Sequence, residues 1–373
     1  MVGLYIPSWL HDSGLPDSAL AVTEATAGAA VMVLAPWIGR WTDRTARRLP
    51  VLGATTAFAI LATAGLASFS PTVTLLLLGF GLIGVNSGSA VYDSLLATVS
   101  DPTTRARTSG LGVGIGYLGS FVGLGLGLVA FEILDAGYAT TFRLLALGFA
   151  LFSIPIFLWV REQPTEPSDA DSLNPLRSLM AAWKKAAGTP GVLRFLAGRF
   201  LYTDAINTLV GGFLALFILT ELGLSTREVN NLLGVAIVAA IGGGLGGGRL
   251  TRQLGARRAL RGVLLMWVAA LGLGAFTAAA GISWLIWVVA LLGGLALGAT
   301  WTADRVLMLE LSPPRHVGEF YGLYATVGRF ASIFGPLVWA AVVDVLGWGR
   351  TAALLILAGF ILGGWWVVGT DPS

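Results

Sequence analysis

SGLGVGIGYLGSFVGL, residues 109–124, aligns without gaps on YGLYATVGRFASIFGP, residues 321–336. Gly110, Leu111, Gly116, Ser120 and Gly123 fall on Gly322, Leu323, Gly328, Ser332 and Gly335, each 212 positions later. The stretches just before them, SDP from Ser100 and SPP from Ser312, keep that offset. GRWTDRTARR from Gly39 is likewise echoed by GRLTRQLGARR from Gly248. The chain therefore reads as two similar halves. In an apolar chain that pattern has a mechanical use, because two related halves can rock about a central site.

The chain is apolar enough for that reading. Of its 373 residues 55% are hydrophobic and 12% charged, with a mean hydropathy of +0.80, where a soluble protein carries about 25% charged residues. Eleven apolar stretches are long enough to cross a bilayer: 19–41, 49–68, 72–99, 108–133, 140–160, 192–219, 229–250, 259–280, 284–311, 320–343 and 351–368. Only helices and closed barrels satisfy every backbone group in lipid, and unbroken apolar runs without alternation select helices. Met1–Leu10 is also apolar, but as a helix it reaches only ~15 Å against ~30 Å of hydrocarbon. It reads as the outer half of a first span whose beginning is missing, which makes the eleven stretches spans 2 to 12. The polar run EQPTEPSDADSLNP, residues 162–175, reads as a flexible linker, followed by an amphipathic surface helix over 176–187. The expected division is an N-terminal bundle 1–160, a linker 161–190 and a C-terminal bundle 191–373.

Loops after even-numbered spans hold seventeen Arg and Lys residues, and loops on the other side hold only Arg143, Arg227 and Arg350. The positive-inside rule puts the seventeen in the cytoplasm, so the net charge of +3 records topology and not a nucleic-acid partner. Cysteine is absent and the two histidines, His11 and His316, lie far apart. That leaves no disulfide, thiol chemistry or metal-ligand spacing. Gly114, Gly116 and Gly119 match a dinucleotide fingerprint, but inside an apolar helix with no preceding strand it lacks its context. No nucleophile–base pair or phosphate-binding loop is visible. The expectation is no enzyme, no catalytic residue, no metal and no cofactor.

Ionisable residues inside spans are costly and so mark candidate sites. Asp93, Arg199, Asp204, Asp304, Arg305 and Arg329 qualify, whereas Glu132, Glu310 and Asp344 sit near span ends where water is in reach. Asp93 shares a helical stripe with Asn86 and Ser89, and Asp204 shares one with Asn207. Asp93 and Arg305 are also 212 positions apart, so the halves place opposite charges at equivalent points. Two readings stay open: handling of solute or protons, or ion pairs that staple helices or gate the halves, with Asp93 approaching Arg305 or Arg329. The glycines of 109–127 and 242–248 read as packing surface, with Gly116 or Gly119 near Gly243 or Gly247.

GRWTDRTARR resembles the signature loop between spans 2 and 3 of the major facilitator superfamily. Gly39, Asp43, Arg44, Arg47 and Arg48 match it, and Ala46 stands where that signature has glycine. VYDSLL at Val91, FLYTDAINTL at Phe200 and TADRVLMLELSPP at Thr302 resemble the vacuolar-effluxer-like branch of that superfamily over nearly the whole chain. The resemblance implies an all-α membrane protein with the major facilitator fold, twelve helices in two six-helix halves, and alternating access. It implies that spans 4, 7 and 10 line the cavity and that the signature loop gates the cytoplasmic side. Asp43 is then expected beside the start of span 11, around 319–321, because a carboxylate is favoured at a helix N-terminus. The implied function is secondary transport of a small solute, an amino-acid-like metabolite being favoured, with protons as the candidate coupling ion. Its rivals are a multidrug-type exporter and a non-transporting scaffold. The Arg-rich, Ala- and Gly-rich composition points to a bacterium, so the expected setting is its plasma membrane, with the chain a monomer in lipid. The family's first span carries a polar-aromatic entry motif that this chain lacks.

Overall fold

The computed structural model describes residues 5–6, 9, 12–13, 15, 17–130, 134–162, 175–224, 226–331 and 333–369. Most of the expected short first helix and the linker segment 163–174 lie outside these residues. Among the described residues every element is helical. In chain order they are α1 (Asp17–Thr45), α2 (Leu49–Gly65), α3 (Pro71–Ser94), α4 (Leu96–Val99), α5 (Arg105–Leu128), α6 (Tyr138–Trp159) and α7 (Pro175–Gly188). Then follow α8 (Val192–Thr208), α9 (Leu214–Glu221), α10 (Thr226–Leu254), α11 (Ala256–Ala280), α12 (Leu285–Leu311), α13 (Val317–Phe330), α14 (Phe334–Ala340) and α15 (Arg350–Gly369). Each of the eleven apolar stretches is occupied by helix, and nine helices among the described residues are long and apolar enough to cross a membrane.

Two of the crossings are interrupted. Between α8 and α9 the chain makes a π-turn over Leu209–Phe213, and α13 stops at Phe330 before α14 begins at Phe334. Another π-turn follows at Ala341–Val345. Such breaks survive at membrane depth only where protein or a cavity covers the freed backbone groups.

The chain forms two compact units. The first comprises residues 1–99, 119–183 and 313–326. In it α3 packs on α1 and α2, and α6 packs on α2. Small residues set the approach: a Cβ on Gly84 or Gly88 of α3 would press on Thr55 and Ala59 of α2. Its core gathers Ile6, Trp9, Leu66, Leu78 and Phe142. Leu151, Phe152, Leu158 and Trp159 of α6 remain exposed, as an acyl-facing surface requires.

The second unit comprises residues 100–118, 184–312 and 327–373. There α12 packs on α10 and α11, and α15 packs on α8 and α11. The seam between α10 and α12 is built from small residues. A Cβ on Gly243 would overlap the Leu295 carbonyl, and one on Gly298 would overlap the Ala240 carbonyl. With no hydrophobic drive between helices in lipid, such close backbone packing holds them together. The first residues of α5 also lie on α10, but not as expected. Gly110 meets Gly244 and Gly248, and Gly114 meets Leu245, while a Cβ on Gly116 or Gly119 would have nothing within 4 Å. Gly243 and Gly247 instead face Leu295 and Ala299 of α12. The helix pair is as the glycine pattern predicts, and the contact sits about one to two turns nearer the basic loops.

Candidate functional site

In the second unit, Arg199 and Tyr202 lie three positions apart on α8, so they share a face. Trp301 and Asp304 do the same on α12. Arg199 Nη1 forms an ion pair with Asp304 Oδ2, and the Tyr202 hydroxyl donates to Asp304 Oδ1 at 2.6 Å. Both carboxylate oxygens are thereby occupied, and Asp304 is 0% exposed. The Arg199 guanidinium carbon sits 5.8 Å from the centroid of the Trp301 ring, within cation–π range. Gly328 makes room for the guanidinium, since a Cβ there would come 3.3 Å from Arg199 Nη2. Behind the cluster, Trp267 Nε1 donates to Thr300 Oγ1 at 3.1 Å, which fixes α12 against α11. The Tyr117 hydroxyl of α5 lies beside the Trp301 indole.

The pairing of Arg199 with Asp304 is absent from the sequence expectations, although each residue stood out alone. A signal for it existed. Arg199 is seven residues after Val192 and Asp304 seven before Leu311, and both those helix ends lie on the basic-loop side. Each therefore stands about 10 Å in from the same side at 1.5 Å per residue. Matched depth and opposite charge pick each other out.

The other candidates are spread more widely. Asp204, five residues beyond Arg199 and two beyond Tyr202 on α8, is 0% exposed, with both carboxylate oxygens outside any hydrogen bond among the described residues. Asn207 lies three residues further on α8, and Arg305 is buried beside Asp304 on α12. Arg329 stands near the end of α13, half-buried. Asp93 belongs to α3 in the first unit and is also half-buried. Of its expected stripe, the Asn86 amide donates to the Leu82 carbonyl at 2.7 Å and the Ser89 hydroxyl to the Val85 carbonyl at 2.8 Å. Both are bonded to their own helix.

On the basic-loop side of the first unit, Asp43 lies at the end of α1 beside the start of α13. The backbone N–H groups of Gly318 and Glu319 donate to its two oxygens at 2.9 and 2.8 Å, and Arg48 Nη2 donates to Oδ1 at 3.1 Å. Gly39 allows this approach, because a Cβ on it would overlap the Gly318 carbonyl. The Arg48 backbone N–H in turn donates to Glu162 Oε1 at 2.5 Å. Gly39, Asp43 and Arg48 are thus assembled, whereas Arg44 and Arg47 are exposed. Ala46 has a φ of +51°, the left-handed region that favours glycine.

Comparison with known proteins gives this geometry a lineage. In fold the chain is similar to the human organic anion transporter MFSD10 (TETRAN), with a TM-score of 0.74 over 97% of this chain and 88% of that one at 16% identity. It is similar as well to the proton:xylose symporter XylE, with a TM-score of 0.72 over 98% and 90% at 15% identity. These likenesses show the major facilitator fold. In sequence it is 24% identical to the uncharacterized MFS-type transporter YxiO of Bacillus subtilis, over 92% of this chain and 82% of that protein. It is 28% identical to autophagy-related protein 22-2 of Aspergillus clavatus over 67% of its own length. The chain spans about half the length of the fungal relatives it matches, 45% in that case. Residues 88–371 match the family model described as vacuole effluxer Atg22 like, which takes in most of the chain, including α8, α12 and the buried cluster between them. The chain belongs to the vacuole effluxer Atg22 like family, within the major facilitator fold.

Proposed function

We propose that the protein is a secondary active transporter that moves a small solute by alternating access, with an amino-acid-like zwitterion as the favoured class. We place it, as a monomer, in the plasma membrane of a bacterium with its basic loops cytoplasmic, the halves 1–160 and 191–373 rocking about the linker 161–190. The observation that carries the reading is the Arg199–Tyr202–Asp304 cluster buried inside apolar helices. Charges inside apolar spans are costly, ~2.5–3.5 kcal/mol each at a helix centre, and apolar side chains of similar volume fill such a place as well or better. A purely structural pair is therefore a poor account of it. A guanidinium offers a fork of donors to a carboxylate, and a carboxylate accepts from an ammonium. A zwitterion presents the same two charges, so it takes over both halves of the pair and strands neither when the pair opens.

The test is a thermal-shift screen of the purified full-length protein against amino acids, organic acids, sugars, nucleosides and cationic drugs. Binding stabilises by RT ln(1 + [L]/Kd), about 2.7 kcal/mol at one hundred times Kd. The reading expects amino acids to raise the melting temperature and Asp304→Asn to abolish the rise. Stabilisation by cationic drugs alone supports the exporter. No stabilisation by any class contradicts a solute site at this cluster.

A further inference from the structure

Three aspartates are buried in the described residues, and two of them are compensated. Asp43 accepts from two backbone N–H groups and Arg48, and Asp304 accepts from Arg199 and Tyr202. Asp204 differs. It is fully buried on α8, and neither of its oxygens is hydrogen-bonded among the described residues. The backbone N–H groups of Phe334 and Gly335 face it without reaching hydrogen-bond geometry. The nearby Thr208 hydroxyl donates instead to the Asp204 backbone carbonyl at 2.7 Å. Gly335 leaves the side chain its space, since a Cβ there would lie 3.0 Å from Asp204 Oδ2 and overlap Thr208 Oγ1.

The charged and titratable groups on the elements packed around α8 do not relieve it. Arg199 and Tyr202 on α8 itself are engaged with Asp304 of α12. Neither Arg305 on α12 nor Arg329 at the end of α13 donates a hydrogen bond to its oxygens. α14 has no ionisable residue, and Arg350, the one in α15, lies 3.6 Å from Glu221. A carboxylate left ionised in a dry interior without such partners is far less favourable than the neutral acid.

A second observation concerns the backbone. Asp204 lies about 18 Å along α8 from Val192 at 1.5 Å per residue, near the middle of the crossing. It faces the place where the crossing 314–345 is broken between Phe330 and Phe334, and α8 itself passes into a π-turn at Leu209. Interrupted helices at mid-membrane are where transporters hold coupling ions, and π-turns cluster at functional positions. A metal ion calls for several oxygen ligands, and no cluster of three acidic or histidine side chains exists among the described residues. A single carboxyl suffices for a proton.

We propose that Asp204 is the proton-carrying group of the transport cycle, taking a proton from water on one side of the membrane and releasing it to water on the other. On loading, an O–H bond forms at a carboxylate oxygen as one breaks in a hydronium ion; on release the carboxyl O–H breaks as one forms on water, and no electrons are gained or lost. The proposal rests on the transporter reading above, although the site it names is distinct from the Arg199–Asp304 pair.

Two measurements test it on the full-length chain. Infrared spectra of the purified protein near neutral pH should show a protonated carboxyl C=O stretch that Asp204→Asn lacks. In liposomes, accumulation of a radiolabelled amino-acid mixture driven by a pH gradient should fall to background in Asp204→Asn, while counterflow, which moves no net proton, persists. A sodium gradient should drive no accumulation in either protein. The proposal is overturned if the infrared band is absent or survives the substitution. It is equally overturned if Asp204→Asn accumulates label as the wild type does, or if sodium replaces the pH gradient. Failure of the wild type to exchange any amino acid would sink the solute reading alone, and the infrared comparison would still decide whether Asp204 holds a proton.

Discussion

Ala46 stands in the left-handed region with a φ of +51°, a conformation that costs an L-residue roughly 1–2 kcal/mol. The same position in the family signature is glycine, so the departure noticed in the sequence has a physical consequence in the loop. Ala46→Gly should therefore stabilise the protein by about 1 kcal/mol, less than the full relief because glycine also loosens the unfolded chain. A melting-temperature comparison in detergent checks it, and a fall in stability would contradict the strain. At the buried cluster the two kinds of loss differ. Tyr202→Phe removes one donor to a charged acceptor, worth about 1.5–3 kcal/mol. Asp304→Asn strands the Arg199 guanidinium, at about 3–5 kcal/mol. The order of the two melting temperatures tests the pairing, and equal losses would count against it. The cluster's residue types were legible in the sequence, since charges in apolar runs announce themselves. Its pairing was legible only through depth, whereas the expectation matched charges by repeat offset, and the partners share depth and not repeat position.

At the scale of helices, glycine spacing identified which helices touch but not the contact register. Gly116 and Gly119 sit in the same run as Gly110 and Gly114, and a list of small residues carries no information on which turn meets the neighbour. On α10 the face is now clear: Gly243 lies against the Leu295 carbonyl, and Gly246 has nothing within 4 Å. Gly243→Ala should force α10 and α12 apart and lower the melting temperature. Gly246→Ala should leave it unchanged or raise it, by up to the ~1 kcal/mol that separates glycine from alanine in a helix. Equal effects would place the seam elsewhere. The start of α5 carries a pH-dependent contact. Asp101 Oδ1 accepts from the Thr103 and Thr104 backbone N–H groups at 2.8 and 3.0 Å. The Thr103 hydroxyl and those two N–H groups lower its pKa from 3.8 to about 2. A depressed carboxyl stabilises above its unfolded value and loses that contribution as pH falls through the folded one. Amides at the start of α5, from Arg105 on, should therefore exchange faster as pH drops from about 4 towards 2, relative to the same amides in Asp101→Asn. No difference between the two proteins would remove the contact from the account.

At the scale of the molecule, the twofold repeat, the short basic loops and the run lengths together specified an all-helical membrane protein, and the helices fall where the apolar runs lie. Composition and period suffice there because lipid admits so few backbone solutions. The π-turn at Leu209–Phe213 was not legible, since no proline lies in or just after it, whereas the break between Phe330 and Phe334 carries a signal in Pro336, which has no N–H to bond four residues back. Both lie close to the buried carboxyl of Asp204. The central claim is that the buried pair on α8 and α12 serves a solute that crosses the membrane, and counterflow tests it most directly. Liposomes holding the full-length protein and loaded with unlabelled amino acids are given a trace of labelled ones outside. The account predicts a transient build-up of label by the wild type and its loss in Arg199→Lys, which keeps the charge but not the two-pronged donor geometry. Build-up of equal size with both proteins, or with neither, would contradict it.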